Sequence, residues 1–317
     1  STASSPRRTA TTRFWLNRMS WPGCFIPSCK RELGMTGTTS KLTPEQRAFY
    51  EKNGYLYPLR VFSDAETAAF RQQFDDFTEE NKERLRTMIP RERRSVYGLT
   101  HLSLPWVYQI ASHPRVLDAV EGVLGPNILI WGSDWFVKFA GDPAFISWHQ
   151  DGAYWGLTPP KVTTAWIALS PSTLESGCMQ VMPRTQNTQF AQRETFARDN
   201  ALSRGQEIAL EVDESQAVAM ALHPGEMSLH HIGIAHGSKA NTSTYARVGI
   251  AVRYIAPEVV QKGSEKQIVQ LVRGEDRFGH YDIVPAPGDA QSAAEIRREA
   301  DRRVSKNVLP QTKPAPV

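Results

Sequence analysis

Between Ile128 and Ala256 the chain spells six short apolar runs, ILIWGSDWFVKFA, TTAWIALS, CMQVMP, AVAMAL, EMSLHH and RVGIAVRYIA, punctuated by Gly, Pro, Ser and Asn. Runs of this length bounded by turn residues read as strands, and strands that follow one another without helical crossovers do not build the parallel sheet of an α/β fold. What remains is a closed or double-sheet β structure, and a jelly roll satisfies it. With 317 residues, 40% hydrophobic and 22% charged, the chain has enough apolar surface for one large core or two modest ones. No apolar run approaches the roughly 18 residues a bilayer-crossing helix needs, so no membrane span is expected.

The flanks read differently. Residues 35–125 are mainly helical in pattern: Thr43 precedes Pro44, Ser63-Asp64-Ala65-Glu66 has the spelling of a capping box, and Phe70, Phe74 and Phe77 recur at helical spacing. A further helix is predicted from Pro114 to Leu124, stopped by Gly125-Pro126. After Gly263 the chain turns polar, with one helix expected around Ser292–Val304 and a loose PQTKPAPV tail. The resulting division is a leader over 1–34, a domain over 35–290 with its helical part at 35–125 and its jelly-roll core at 126–262, and a helix with tail over 291–317.

Charge is distributed unevenly. Arg7, Arg8, Arg13, Arg18, Lys30 and Arg31 face only Glu32 within residues 1–34, so the leader carries more positive charge than the whole net +4 and the body is close to neutral, slightly negative. A basic Ser/Thr-rich leader has the composition of a mitochondrial transit peptide; an added extension ahead of Met35 is the other reading, and the segment is expected to be disordered. A body without a basic face interleaved with aromatics excludes nucleic acid as the expected partner. Cys24, Cys29 and Cys178 are too few and too scattered for a disulfide framework, which favours a reducing compartment, the cytoplasm.

The stretch SWHQDGAYWGL places His149 and Asp151 two apart. On an extended segment residues i and i+2 share a face, so both are able to bind one ion; a hydrogen-bonded pair without metal has the same spelling. Two imidazoles and a carboxylate on one side of a ferrous ion leave positions open for other ligands. Four of the eight histidines fall between 223 and 236, so a second imidazole has several candidates. HGSKANTSTYAR singles out His236, because Arg247 follows eleven residues later at the start of a strand and carries the planar fork that grips a carboxylate.

WHQDGAYW, TTAWIAL, ESGCMQVMP and HGSKANTSTYAR, in that order, together resemble the phytanoyl-CoA dioxygenase family of iron- and 2-oxoglutarate-dependent oxygenases over roughly residues 43–285, the helical FYEKNGYLYPLRVFSDAE included. The resemblance implies a mainly β fold with flanking helices, its core a double-stranded β-helix of the cupin-like jelly-roll type. It implies Fe(II) on His149, Asp151 and His236, and 2-oxoglutarate held by Arg247, with O2 as oxidant. Trp166 is placed near the co-substrate, and Ser238 adds a hydrogen bond to it. Halogenating enzymes similar to this subgroup carry a small residue where Asp151 stands, so hydroxylation is expected, of an aliphatic small molecule or acyl thioester, with release of succinate and CO2. A jelly-roll protein that binds metal or ligand as a sensor or scaffold is the alternative.

Tyr154 and Trp155 are expected to wall the substrate pocket, though Trp155 and Trp166 also suit plain core packing. His231 is expected to line the site or orient a ligand. His280-Tyr281-Asp282 repeats the HxD spelling in a polar segment and reads as a loop; His101 and His113 read as structural. Lys138 in WFVKFAG is open to either face of its strand.

Overall fold

Thr43 and Ser63 do what their positions demand. Each side chain accepts the N3 backbone amide while Gln46 and Glu66 reach back, so α1 (Pro44–Asn53) and α2 (Asp64–Glu80) both begin on full capping boxes. The computed structural model describes residues 41–307 apart from 264. The leader over 1–34 with its two cysteines, and the PQTKPAPV tail, lie outside the described residues.

After α1 the chain runs through β1 (Tyr55–Arg60) to α2, then α3 (Lys82–Thr87), α4 (Arg94–Tyr97), α5 (Pro105–Ala111) and α6 (Pro114–Leu124). The β region follows: β2 (Ile128–Lys138), β3 (Ile146–His149), the single-turn α7 (Gly152–Trp155), β4 (Leu157–Thr158), β5 (Val162–Ala168), β6 (Met179–Met182), β7 (Gln192–Glu194), β8 (Gln206–Ile208) and β9 (Val218–Ala219). It continues through β10 (Glu226–His231), β11 (Ala235–Ser238), β12 (Arg247–Ile255), β13 (Val260–Gln261), β14 (Ile268–Arg273) and β15 (Asp282–Ile283), and ends in α8 (Ala290–Asn307).

Two sheets form the jelly roll. The larger has the order β1-β10-β5-β12-β2-β14-β15, the smaller β3-β11-β6-β9. All six runs singled out in the sequence contribute strands. The larger sheet also recruits Tyr55–Arg60 from the mainly helical segment and Ile268–Arg273 from the polar one, so it extends on both sides of residues 126–262. No helix among the described residues is long and apolar enough to cross a membrane.

Strand β12 shows how one sequence serves two layers. Val248, Ile250, Val252 and Tyr254 turn to the helices, joining Phe74, Val107, Ile110, Val116 and Val120 in the main core. Each such side chain contributes roughly 1.5–3 kcal/mol by leaving water. Tyr254 also donates its hydroxyl to the Ala111 carbonyl at 2.6 Å. The alternate residues, Arg247, Gly249, Ala251 and Arg253, face the opposite way, into the space between the sheets.

His101 and His113 are structural. His113 reaches Glu66 at 3.3 Å. His101 is fully buried beside Ser133 at 2.7 Å, and burial, aided by Arg253 and Arg297, depresses its pKa to about 3. Because the unfolded chain binds this proton near pH 6.5 and the folded chain resists it, the stability it confers is complete above pH 6.5 and lost as pH falls toward 3, on the order of a few kcal/mol. The thermal midpoint is expected to drop between pH 7 and pH 4, and to drop less in His101→Gln.

Candidate active site

The register of the smaller sheet brings together residues 87 positions apart. His236 on β11 pairs directly with His149 on β3, and their ring centroids stand 4.1 Å apart. Strand β3 ends at His149. Asp151 adopts helical backbone angles (φ −58°, ψ −41°) at the start of α7, and its side chain makes no capping bond there. The i, i+2 convergence is therefore made by a strand-to-helix turn rather than by continued extension. One donor atom from each of His149, Asp151 and His236 lies within 4.8 Å of the others, and all three residues are buried. Between the two ligands, Gln150 points away and ties down the loop, donating to the carbonyls of Thr188 (2.7 Å) and Gly233 (2.6 Å).

The protonation pattern suits a metal. His149 Nδ1 donates to the Ser147 carbonyl (2.9 Å) and His236 Nδ1 to the Ile234 carbonyl (3.0 Å). Carbonyls only accept, so each Nδ1 carries the hydrogen and each Nε2 is left as the donor atom for an ion. His149 Nε2 stands 3.3 Å from Asp151 Oδ1, and two lone pairs at that distance require a cation between them, either a proton or a metal ion. Burial, reinforced by His149, lowers the His236 pKa to about 4, which disfavours the proton at neutral pH. Burial opposes ionisation of Asp151, yet the His149 hydrogen bond and the charges of His236, His149 and Arg253 hold its carboxyl below the usual range. Two imidazoles presenting Nε2 with one carboxylate fit a divalent first-row ion that keeps open positions.

Beside the triad lies a pair of buried basic side chains. Arg247 donates through Nη1 to the Gly177 carbonyl, and its Nε is buried with no hydrogen-bond partner among the described residues. Its guanidinium lies 5.2 Å from the centre of the Trp166 ring. Lys138 points inward, 2% exposed, and donates to Ser238 Oγ and the Lys239 carbonyl. Burial, with Arg247 nearby, brings the Lys138 pKa down to about 6, and burial lowers Arg247 to about 10. Two basic groups whose charged forms are penalised in this way favour a bound anion, which would offset both penalties.

Two glycines make this corner possible. Gly177 has φ +69°, and a Cβ there would stand 2.1 Å from the Lys239 carbonyl oxygen. At Gly249 a Cβ would meet Trp166 Cζ2 at 2.2 Å. Gly249→Ala is expected to displace Trp166 from Arg247, costing about 1–3 kcal/mol of stability; a thermal melt measures this directly.

A cavity of about 420 Å³ begins at His149 and Asp151, with Tyr154, Trp155, Trp131 and Phe136 on its wall and Arg94 and Val304 also lining it. A smaller space of about 50 Å³ adjoins it at Trp166, Ser238, Arg247 and His230. The structure thus gathers His149, Asp151, His236, Arg247, Trp166, Ser238, Tyr154 and Trp155. It does not bring in His231, which belongs to neither cavity: its Nδ1 accepts from the Gly233 amide at 3.0 Å. Neighbours on a strand face opposite ways, and here the inward position falls to His230, whose ring is 4.9 Å from His236. His280-Tyr281-Asp282 stays apart from the triad, with Asp282 pairing with Arg303 at 2.5 Å. Lys138, Gln150 and His230 are the neighbours the sequence left unassigned.

The profile of the family described as "Phytanoyl-CoA dioxygenase (PhyH)" matches residues 50–249. A bovine (Bos taurus) protein named "Phytanoyl-CoA dioxygenase, peroxisomal" is 25% identical over 277 residues, 78% of this chain and 80% of the relative. Among solved structures, the non-heme monooxygenase ThoJ in its apo form superposes with a TM-score of 0.71 at 26% identity, covering 83% of this chain and 96% of that one. The structure titled "CytC3 with Fe(II) and alpha-ketoglutarate" gives 0.56 at 25% identity, covering 77% and 93%.

Proposed function

Since this chain belongs to the phytanoyl-CoA dioxygenase family and is a 2-oxoglutarate-dependent non-haem iron dioxygenase, we propose that it hydroxylates an aliphatic carbon of a small molecule or an acyl thioester. Bound Fe(II), 2-oxoglutarate and O2 supply the oxidising chemistry, with succinate and CO2 as co-products. The observation that carries this reading is the placement of the His149-Asp151-His236 cluster between a buried, partly unpartnered Arg247 and an aromatic-walled cavity of about 420 Å³.

In this reading His149, Asp151 and His236 hold the ion, and the Asp151 carboxylate takes the position a halide would otherwise need. Arg247 offers Nε and its remaining amino group to the far carboxylate of 2-oxoglutarate. Ser238 and Lys138 stand beside that carboxylate, and Trp166 packs under the guanidinium and keeps water from it. Tyr154 and Trp155 wall the space the substrate occupies and orient the reacting carbon toward the ion. The test is anaerobic loading with Fe(II) followed by O2-dependent conversion of 2-oxoglutarate to succinate across a substrate panel. Succinate formation that requires iron supports the oxygenase; ligand binding without any turnover would instead point to a sensor or scaffold. We place the protein in the cytoplasm on its sparse cysteines, which fluorescence microscopy of a tagged chain tests.

A further inference from the structure

Strand β12 turns two arginines into the space between the sheets, Arg247 and Arg253, six residues or roughly 20 Å apart along the strand. Only Gly249 and Ala251 stand between them on that face. Arg247 serves the co-substrate in the reading above; Arg253 has no part in it. Yet Arg253 lines both the small space around the triad and the large cavity leading outward.

The Arg253 side chain is 12% exposed. Its guanidinium face lies 5.0 Å from the centre of the Trp155 ring, and Trp155 in turn sits against Trp131 at 5.1 Å. Among the described residues it hydrogen-bonds only Asp134, through Nη1, and its Nε is buried without a partner. Asp134 is shared with Arg94, whose Nε approaches Oδ1 at 3.3 Å. Two guanidiniums thus divide one carboxylate. The second partner of Arg94 is Asp301, whose side chain is 53% exposed and whose charge is screened by solvent. The other carboxylate close to Arg253, Asp151, belongs to the triad that would hold the ion, so Arg253 and Arg94 are left to share Asp134 in a site where uncompensated charge is costly. Arg204, which lies over Tyr154 at 5.6 Å, differs because it already pairs with Glu194 at 2.8 Å.

We infer that Arg253 recognises a carboxylate on the substrate, and that the substrate is a free carboxylic acid with an apolar body rather than an acyl thioester. This rests on the oxygenase reading above. With Nη1 committed to Asp134, the Nε edge of the fork is left to bind a planar carboxylate side-on through two parallel bonds. Trp131 and Trp155 then flank the apolar body, and a carbon near the carboxylate faces the triad. A thioester carbonyl carries no charge for this edge.

Matched sets test it: octanoate, octanamide and octanoyl-CoA, and 3-phenylpropanoate with its amide and CoA thioester. Each is titrated anaerobically into protein holding Fe(II) and 2-oxoglutarate, followed by calorimetry and tryptophan fluorescence. The acids are expected to bind about 10- to 100-fold more tightly than their amides and thioesters. In Arg253→Gln that ratio is expected to fall to near one. Arg253→Lys keeps the charge beside Asp134 but lacks Nε, so it should retain only part of the preference; it and the wild-type ratio decide the matter if the glutamine variant fails to fold. Binding by none of the acids, thioesters or amides that match or exceed the acids, or an acid preference that survives Arg253→Gln would overturn the proposal. Should the wild type take up neither Fe(II) nor 2-oxoglutarate in the loading step, the oxygenase reading fails first, and separately.

Discussion

Alanine at His236 is expected to lower iron-dependent succinate formation by roughly a thousandfold or more, because in the proposed reading it removes one of the three side chains that hold the metal. The same holds for His149→Ala and Asp151→Ala, with a difference in kind. Losing either imidazole empties a position whose neighbour is the other imidazole, 4.1 Å away between ring centroids. Losing Asp151 leaves a site with no anionic donor, and with Arg253 and two histidines nearby it becomes more positive. Metal affinity, measured by Fe(II) titration with exclusion of oxygen, is expected to fall in all three. Chloride added to Asp151→Ala is expected to leave the enzyme inactive, since an opened position does not itself orient a substrate carbon. Full activity in His236→Ala together with its loss in His230→Ala would show that the third ligand is His230.

Arg247→Ala is expected to raise the KM for 2-oxoglutarate by about 2–4 kcal/mol, roughly 30- to 1000-fold, because in the proposed reading it removes the buried charged partner of the co-substrate and leaves a carboxylate unpaired. Iron affinity should change little, as Arg247 is not one of the three donors. Arg247→Lys separates charge from shape: it keeps a cation but loses the fork and the contact with Trp166, so an intermediate KM is expected. Lys138→Met should also weaken 2-oxoglutarate binding if the two cations share one anion. Its loss removes a buried amine whose charged form is penalised, so its thermal midpoint should hold or rise. Steady-state kinetics with varied 2-oxoglutarate, beside calorimetry on metal-loaded protein, distinguishes these outcomes.

The strands that the sequence announced most clearly are those buried on both faces. Strand β5, Val162–Ala168, is buried at every position and reads as an uncharged run in which only Thr163 and Thr164 are polar. Strand β1 is harder to see, because YLYPLR carries a proline and lies between two well-capped helices. Strand β14 hides in a polar stretch, half of it only partly covered. In the site, His149, Asp151, His236 and Arg247 were legible as residue types at a spacing.

What escaped notice was orientation. His230 and His231 are indistinguishable as letters; their facing is decided by the pairing of β10 with β5, where His230 meets Thr164. Arg253 and Asp134 read as ordinary strand charges, and only the register of β12 on β2 brings them side by side. Lys138 was ambiguous for the same reason.

His149 and His236 ride on the smaller sheet, with Asp151 just past the end of β3, while both arginines ride on the larger. The spacing between that triad and the guanidiniums is thus a calliper reading of the sandwich itself, about 10 Å between layers. Loops at the mouth are free to diverge without disturbing it. A side chain deep between the layers is not: trimming or swelling it opens or closes the calliper, and turnover would register the change well before the protein unfolds.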